Sequence, residues 1–518
     1  MKKYFRIMAA ILVCGSSVLV SCTADIADNP VYPVDPVNPI DPNDPEEQSD
    51  IIDEFWDMPG NVGDPDVVAA LQSIENVEDL KPFFNVELGQ AYYFNYKQLI
   101  DHNNPSLGTF KEQVVLTFVG KDANSILHTE GYALTNALTT FDHNHNQLDS
   151  ISAPHLLWAL SKDYGADNEF DLNCVQVEYR YHGFSLPEGD TDSFKYLSAE
   201  QQSKDLHAIV ADLKKALITG DGKWLSTGVS KNGMTSAQYA YYDELNGWND
   251  IDVYVPFVAP IPTQHWDDRI GEYMITESSK ERLPDLEKAY RTLVDDKAVA
   301  DATIAAYSKV FEQENGMALP KDSAFHYTLC RLMSNLFGIQ SYGDFDTWTK
   351  FIPDENSTPE EYAEFFMLSD NDSRIYRKTN NARGPLTKRQ DPFDIQVFVD
   401  QGNLAYDYTW YLEGKLLSES DKQYFRGLME KNVDAPFVDL QMDLVNNLET
   451  TNKKMIWVYG GDDPWTGTAI PDPVNPNVKK YIVPHGSHTD DFTKYLRYEG
   501  GAEVVQQIID DINAILNK

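Results

Sequence analysis

The stretch Lys223–Gln238, KWLSTGVSKNGMTSAQ, passes from an apolar, β-like run through a Gly-x-Ser turn into an amphipathic segment. A strand that turns sharply into a helix at a serine holds the hydroxyl out at the edge of a sheet, as a nucleophilic serine requires. The pattern for such a turn is Gly-x-Ser-x-Gly. This chain reads Gly228-Val229-Ser230-Lys231-Asn232, and its next glycine is Gly233. Glycines flank the turn because helix and strand approach closely and the backbone is strained. Asparagine tolerates positive φ better than most residues, so Asn232 reads as a mild strain on the turn and Ser230 stays a candidate nucleophile.

Around this turn, strands and helices alternate from about Phe83 to Pro260. Strand-like runs are AYYFNYKQ, EQVVLTFVG, SILHTEG, CVQVEYR, KWLSTGV and DVYVPFVAP. Helical runs are APHLLWALSKDYG, SAEQQSKDLHAIVADLKKAL and GMTSAQYAYYDEL. In the second of these, Leu206, Ile209, Val210, Leu213 and Leu217 recur at three-and-four spacing, one apolar helical face. Buried strands alternating with helices predict an α/β fold, a parallel or mixed sheet with helices on both faces. Residues 265–440 are helix-rich, as in LPDLEKAYRTLVDD, ADATIAAYSKVFEQE and HYTLCRLMSNLFG, before strands return at KKMIWVYGG and KKYIVPHG. The expectation is therefore one α/β-hydrolase sheet, residues 51–264 and 441–518, with a large helical cap inserted between the nucleophile and acid segments.

A serine hydroxyl needs a base, and the base needs an orienting acid. In an α/β-hydrolase these follow in the order Ser, Asp, His, each beyond a strand. Ser230 follows KWLSTGV, Asp462 and Asp463 follow MIWVYGG, and His485 and His488 follow YIVP. Each element alone is unremarkable as a turn, an Asx cap or a loop histidine; the three together, in order, with a cap between serine and acid, point to a hydrolase. An oxyanion hole takes two backbone donors. The Lys231 amide, at a helix N-terminus, is one; the other is expected after SILHTE, at Gly131 or Tyr132.

The N-terminus has its own logic. MKKYFRIMAAILVCGSSVLVSC is a basic start, an apolar run too short to span a bilayer, and a small-residue end on Cys22. It resembles a bacterial lipobox, which implies cleavage before Cys22, acylation there, and an exported lipoprotein of the cell envelope held by its lipid anchor. Residues 23–50 repeat Pro with Asp or Asn and read as a semi-extended tether. With 82 acidic against 42 basic residues, the formal charge of -40 repels nucleic acid and anionic membrane surfaces and suits cationic ligands such as free amino termini. Cys174 and Cys330 read as separate thiols. No cofactor or metal is expected: HGSHTDD lacks a helical His-Glu-x-x-His frame, and FDHNHNQLDS lacks the glycine and terminal glutamate of a calcium loop.

GKWLSTGVSKNGMTSAQYAYY followed by DVYVPFVAP resembles the secreted bacterial prolyl tri/tetrapeptidyl aminopeptidases, whose pattern is close to GKWLSTG-x-SKGGMT and then V-x-YVAP. DHNNPSLGTFKEQ, HTEGYAL, VEYRYHGFSLP, YLSAEQQSKDLHAIV, VYGGDDPW and GSHTDDF are similar to the same family and to its relatives, prolyl carboxypeptidase and dipeptidyl peptidase II. The resemblance covers roughly residues 80–270 and 390–510, with Asn232 as its visible departure. It implies Ser230 as nucleophile, Asp463 before Pro464-Trp465 as acid, and His488 of Gly486-Ser487-His488 as base. It further implies a peptide substrate with a free N-terminus, cleaved after proline, whose amino group meets an acidic side chain. Glu130 is the first candidate for that acid. Glu178 is the second, with pairing to Arg180 or a neighbour as its other role. Trp465, Tyr132 and the aromatics of FDIQVFVDQGNLAYDYTWYL would line the proline slot. Two rival readings are an esterase with the same triad and a catalytically weak surface binding protein on this scaffold.

Overall fold

The structure, a computed structural model, describes residues 62–85, 89–131, 134, 171–187, 194–263, 267, 269–278, 283–315, 318–319, 324, 328, 352–367, 440–488 and 490–517. The leader with Cys22, the tether, the helical run at 153–165, that at 326–338 apart from Thr328, the loop FDHNHNQLDS, Cys330, Tyr132 and the aromatics of 393–412 lie outside the described residues.

Among the described residues nine strands form one sheet: β1 (Val77–Asn85), β2 (Gly89–Leu99), β3 (Thr109–Thr117), β4 (Ser125–Thr129), β5 (Asn173–Val177), β6 (Trp224–Val229), β7 (Val253–Phe257), β8 (Met455–Gly460) and β9 (Val478–Val483). Their order across the sheet is β1-β2-β3-β5-β4-β6-β7-β8-β9. The pairs β1/β2, β2/β3 and β3/β5 are antiparallel, and every pair from β5/β4 to β8/β9 is parallel. An antiparallel start, the crossed β5-β4 order and a parallel run to the far edge make this the α/β-hydrolase fold. Every residue of β4, β5, β7 and β8 is buried, as parallel strands covered on both faces must be. At the edge, β9 is buried only at its ends.

In chain order the helices are α1 (Pro65–Gln72), α2 (Ala199–Ala216), α3 (Lys231–Asn246), α4 (Arg269–Thr276), α5 (Leu283–Asp295), α6 (Lys297–Asn315), α7 (Pro359–Met367), α8 (Leu440–Asn447), α9 (Phe492–Tyr495) and α10 (Gly501–Leu516). On one face of the sheet, α2 and α3 join Trp457 and Tyr459 of β8 in a single apolar cluster. On the other, Val505, Ile508 and Ile512 of α10 pack with Ile456 and Val458. The alternation along β8 is what divides the two cores. The face read from α2's periodicity is the buried one: Leu206, Ile209 and Val210 are fully buried, and Leu213 nearly so. Burying each such side chain is worth roughly 1.5–3 kcal/mol. Between β7 and β8 the described residues carry the helices α4 to α8.

Among the elements that escaped the sequence reading are β1 and α1. β1 contains Pro82 and a register shift between Glu78 and Lys81, and it is tolerated because it lies on the edge, where ladder donors are dispensable. α1 was announced by Asp64 and Pro65: the Asp64 carboxylate accepts from the Asp66 and Val67 amides, with proline at the first helical position.

Candidate active site

Ser230 joins β6 to α3 with φ 59° and ψ -123°. That left-handed φ on a non-glycine residue is the strain expected of a turn that forces a side chain outward. The Ser230 amide is held on Phe257 O at 2.9 Å. Its hydroxyl makes no helix-capping bond; Oγ lies instead 2.8 Å from His488 Nε2. His488 Nδ1 lies 2.8 Å from Asp463 Oδ2. A carboxylate only accepts, so Nδ1 carries the imidazole proton and Nε2 keeps its lone pair for the serine. Asp463 Oδ1 accepts from the Trp465 amide at 3.0 Å. Burial pushes the Asp463 carboxyl above its ordinary value, while the His488 ring and the Trp465 amide draw it down. The three side chains arrive from beyond β6, β8 and β9, which run parallel and so end on one edge.

The neighbours that the residues alone left in contention are elsewhere. His485 and Asp462 meet each other at 3.5 Å, with the histidine side chain 61% exposed, while Asp463 and His488 are both fully buried. The acid and base loops are laced by Gly461 N–H to Val483 O at 2.8 Å and Asp462 N–H to Gly486 O at 2.9 Å. The segment after β7 grips the same loop: Tyr273 OH donates to Gly461 O at 2.9 Å, and Ser278 Oγ donates to Asp462 O. The Trp465 ring packs against His488 with centroids 5.7 Å apart.

Asn232 is not strained. It lies inside α3 and has no positive φ; within this turn the positive φ is on Ser230 itself. Gly228 is the glycine that close approach demands, since a Cβ there would stand 2.4 Å from the Asn232 carbonyl carbon. Asn232 has a bonding role instead. Its Oδ1 accepts from the Gly131 amide at 2.6 Å, and its Nδ2 donates to Glu130 Oε2 at 2.8 Å.

Three further expectations need correction. The Gly131 amide is committed to Asn232 and is not aimed at an oxyanion; Tyr132, the other donor expected, lies outside the described residues. Glu178 is fully buried and does not pair with Arg180. Its carboxylate accepts from the amides of Leu134, Phe184 and Ser185 and from Ser185 Oγ, so it has no capacity to spare for a substrate amine. Arg180 pairs instead with Asp205, both side chains fully buried. Glu130 is also turned inward, 12% exposed, with Oε1 3.4 Å from His128 Nδ1. Burial pushes its carboxyl up to about 8, opposed by the Asn232 hydrogen bond, raised further by Glu178 and lowered by Lys231. A carboxyl that stays protonated at neutral pH is a poor anchor for an ammonium group.

The sequence reading missed the Lys231 side chain, His182 and Tyr179 as part of this neighbourhood. The only signal was their presence in blocks shared with a known family, which named no role for them. Lys231 is 1% exposed. Its Nζ donates to Gly131 O, lies 3.3 Å from His182 Nε2, and sits 5.0 Å from the Tyr179 ring centroid.

Comparison with known proteins supplies the family. The sequence profile described as PS-10 peptidase S37 matches residues 164–471, more than half of the chain. The prolyl tri/tetrapeptidyl aminopeptidase of Streptomyces mobaraensis is 24% identical over 383 residues, covering 72% of this chain and 69% of that protein. Among solved structures, the proline iminopeptidase of Mycobacterium smegmatis aligns with a TM-score of 0.31 and 11% identity, over 81% of this chain and 99% of that one. The peroxisomal α/β-hydrolase Lpx1 of Saccharomyces cerevisiae aligns at 0.31 and 9%, over 82% and 88%. Likeness at that level carries no argument about activity.

Proposed function

The chain belongs to the PS-10 peptidase S37 family and is a serine peptidase of the α/β-hydrolase type; from that premise we propose that it removes short peptides, of three or four residues, from free N-termini after proline. The observation that carries the catalytic part is the relay Ser230 Oγ–His488–Asp463, with 2.8 Å at both junctions. The similarity to the Streptomyces mobaraensis enzyme supports the substrate class.

In this reading His488 Nε2 takes the Ser230 proton as Oγ attacks the carbonyl of the proline. Asp463, sealed from water, holds the imidazole tautomer and stabilises the imidazolium. The developing oxyanion meets the amide of Lys231, where the first turn of α3 leaves its donors without intrahelical acceptors. Protonated His488 then donates to the leaving amine, and a water molecule repeats the sequence on the acyl-enzyme. Trp465 contributes an aromatic wall for the proline ring.

The proposal extends to the envelope. Cys22 acylation would retain the enzyme on a membrane, and Cys22→Ser should release it into the soluble fraction. Among the described residues no helix is long and apolar enough to cross a membrane.

The test of substrate class compares chromogenic amides of Ala-Pro, Ala-Ala-Pro and N-blocked Ala-Ala-Pro on the body from residue 51, beside an aryl ester. Turnover of the free tripeptide with loss on blocking is expected. Turnover of the ester alone would remove the aminopeptidase assignment and favour an esterase.

A further inference from the structure

His488 lies on a loop beyond the edge strand β9, yet it meets Ser230 Oγ and Asp463 Oδ2 at 2.8 Å each. A misplacement of about 1 Å at such a junction costs on the order of 10²-fold in rate, so the loop needs an anchor. Asp490, two residues beyond the base, supplies one. Its Oδ2 accepts from the Ser487 amide at 2.8 Å, and its own amide donates to Ser487 O at 3.4 Å. The same carboxylate ties the loop to the chain that follows. Lys494 of α9 donates to Oδ1 at 2.7 Å, and Tyr498 OH donates to Oδ2 at 2.7 Å. The Asp490 side chain has no exposed surface, whereas that of Lys494 is 45% exposed. Tyr495 of α9 packs on the same loop, so closely that a Cβ on Gly486 would stand 2.7 Å from its ring.

This anchor carries charge as well as bonds. Burial chiefly raises the Asp463 carboxyl, and the negative charge of Asp490 adds to that effect, against the pull of His488 and the Trp465 amide. The phenols nearby stay neutral at working pH. Burial, with the charges of Asp490 and Asp463, pushes Tyr495 well above its ordinary value; burial and Asp463 do the same to Tyr273 of α4. Asp491 is spent on capping α9 through the Lys494 amide at 2.8 Å. His485, the second imidazole of this loop, pairs with Asp462 and is exposed. Asp490 and Lys494 are therefore a buried carboxylate beside the base and its partly hydrated counter-ion.

We propose that Asp490 is a positioning residue for His488: it fixes the backbone just ahead of the imidazole and keeps a negative charge beside the acid–base pair, with Lys494 offsetting part of that charge. A negative charge stabilises the imidazolium and not the neutral ring, so it favours proton transfer from Ser230. Its removal moves the acid limb of kcat/KM to lower pH. Removal of the Lys494 ammonium leaves Asp490 less compensated and moves the limb the other way. A purely structural role for the two residues gives no such opposition of sign. The inference rests on the proposed function, because it needs His488 as the base.

The experiment records pH profiles of kcat and KM on the full chain with a free Ala-Ala-Pro chromogenic amide. A His485→Gln background removes the titration of the exposed neighbour. Asp490→Asn keeps an oxygen for the Ser487 amide and loses the charge, Asp490→Ala loses both, and Lys494→Met loses only the cation. The acid limb is expected at lower pH in Asp490→Asn and at higher pH in Lys494→Met, with kcat of each within about tenfold of the parent. Asp490→Ala should lower kcat roughly ten- to hundredfold through misplacement, with KM changed less than about threefold. Asp490→Asn should recover most of that loss. Limbs that stay in place, or move the same way in Asp490→Asn and Lys494→Met, overturn the proposal. So does an Asp490→Ala kcat within about threefold of the parent. Where Asp490→Ala does not fold, the opposed limbs of the other two variants decide alone. If the parent cleaves no peptide, the proposed substrate falls, and an aryl ester then decides Asp490 by the same profiles. Turnover of neither substrate removes His488 as base and this role of Asp490 with it.

Discussion

Glu130 Oε2 accepts a hydrogen bond from Asn232 Nδ2 at 2.8 Å, just beyond the end of β4. The groups around that carboxyl are His128 on β4, Lys231 and Asn232 on α3, and Glu178 beyond β5. Burial dominates and raises the carboxyl from its ordinary 4.5 to about 8. Below pH 4.5 the folded and unfolded chains are both protonated. Between 4.5 and 8 the unfolded chain sheds this proton and the folded one keeps it, so stability falls as pH rises, by up to about 1.4 kcal/mol per unit. Above 8 this contribution levels off. Glu130→Gln should remove that slope. Urea midpoints at pH 5 and pH 8.5 should therefore lie closer together in the variant than in the wild type, and an equal gap in both would contradict the burial argument.

Asp463→Asn is expected to lower kcat by about 10⁴-fold with little change in KM. The asparagine amide would donate to His488 Nδ1 and force the proton onto Nε2, where it faces Ser230. Asp462→Asn, whose carboxylate faces the exposed His485 and not His488, should retain activity within a few-fold. A large loss in Asp462→Asn would mean that the acid has been assigned to the wrong neighbour.

Asp205→Ala should destabilise the fold by about 3–5 kcal/mol, because it strands the fully buried Arg180 guanidinium, which now donates twice to Asp205. The remaining Arg180 bonds run to the carbonyls of Leu99, Ile100 and Tyr196, which carry no negative charge. Denaturant unfolding measures the cost directly. Replacing Lys288, whose ion pair with Glu355 is solvent-exposed, should leave the unfolding midpoint nearly unchanged and serves as the contrast.

Leu206→Ala on the buried face of α2 should cost about 2–5 kcal/mol, the lost transfer energy plus the cavity left behind. The midpoint of chemical unfolding should shift without a change in slope. An effect below 1 kcal/mol would require the helix face to repack, against the cluster it forms with α3 and β8.

Much of this geometry was legible in the residues, for physical reasons. KWLSTGV read as a strand because the segment from Trp224 to Val229 carries no charge and leads straight into the turn, as a strand buried on both faces allows, and the chain order of serine, acid and base mapped onto three parallel strand ends. Asp463 and Asp462 were not separable by residue type, since both follow β8; only burial and the His488 partner divide them. β1 was hidden by its charges and Pro82, which an edge strand accepts and a central one does not. Asn232 was misread because a motif assigns the strain to its glycines. In the folded chain the positive φ is on Ser230, and the asparagine is a hydrogen-bonding residue of the helix. Glu130 and Glu178 looked like available anions in one dimension; that Asn232 bonds the first, and Leu134, Phe184 and Ser185 the second, is decided only by the fold.

The central claim is that Ser230 is the nucleophile and His488 its base. The most direct measurement treats the active body with a proline-directed phosphonate that traps serine hydrolases, then maps the adduct by mass spectrometry in the wild type and in His488→Ala. The account predicts one adduct, on Ser230, formed at least about 10³-fold more slowly without the histidine. An adduct on another serine, or labelling of Ser230 that is indifferent to His488, would contradict it.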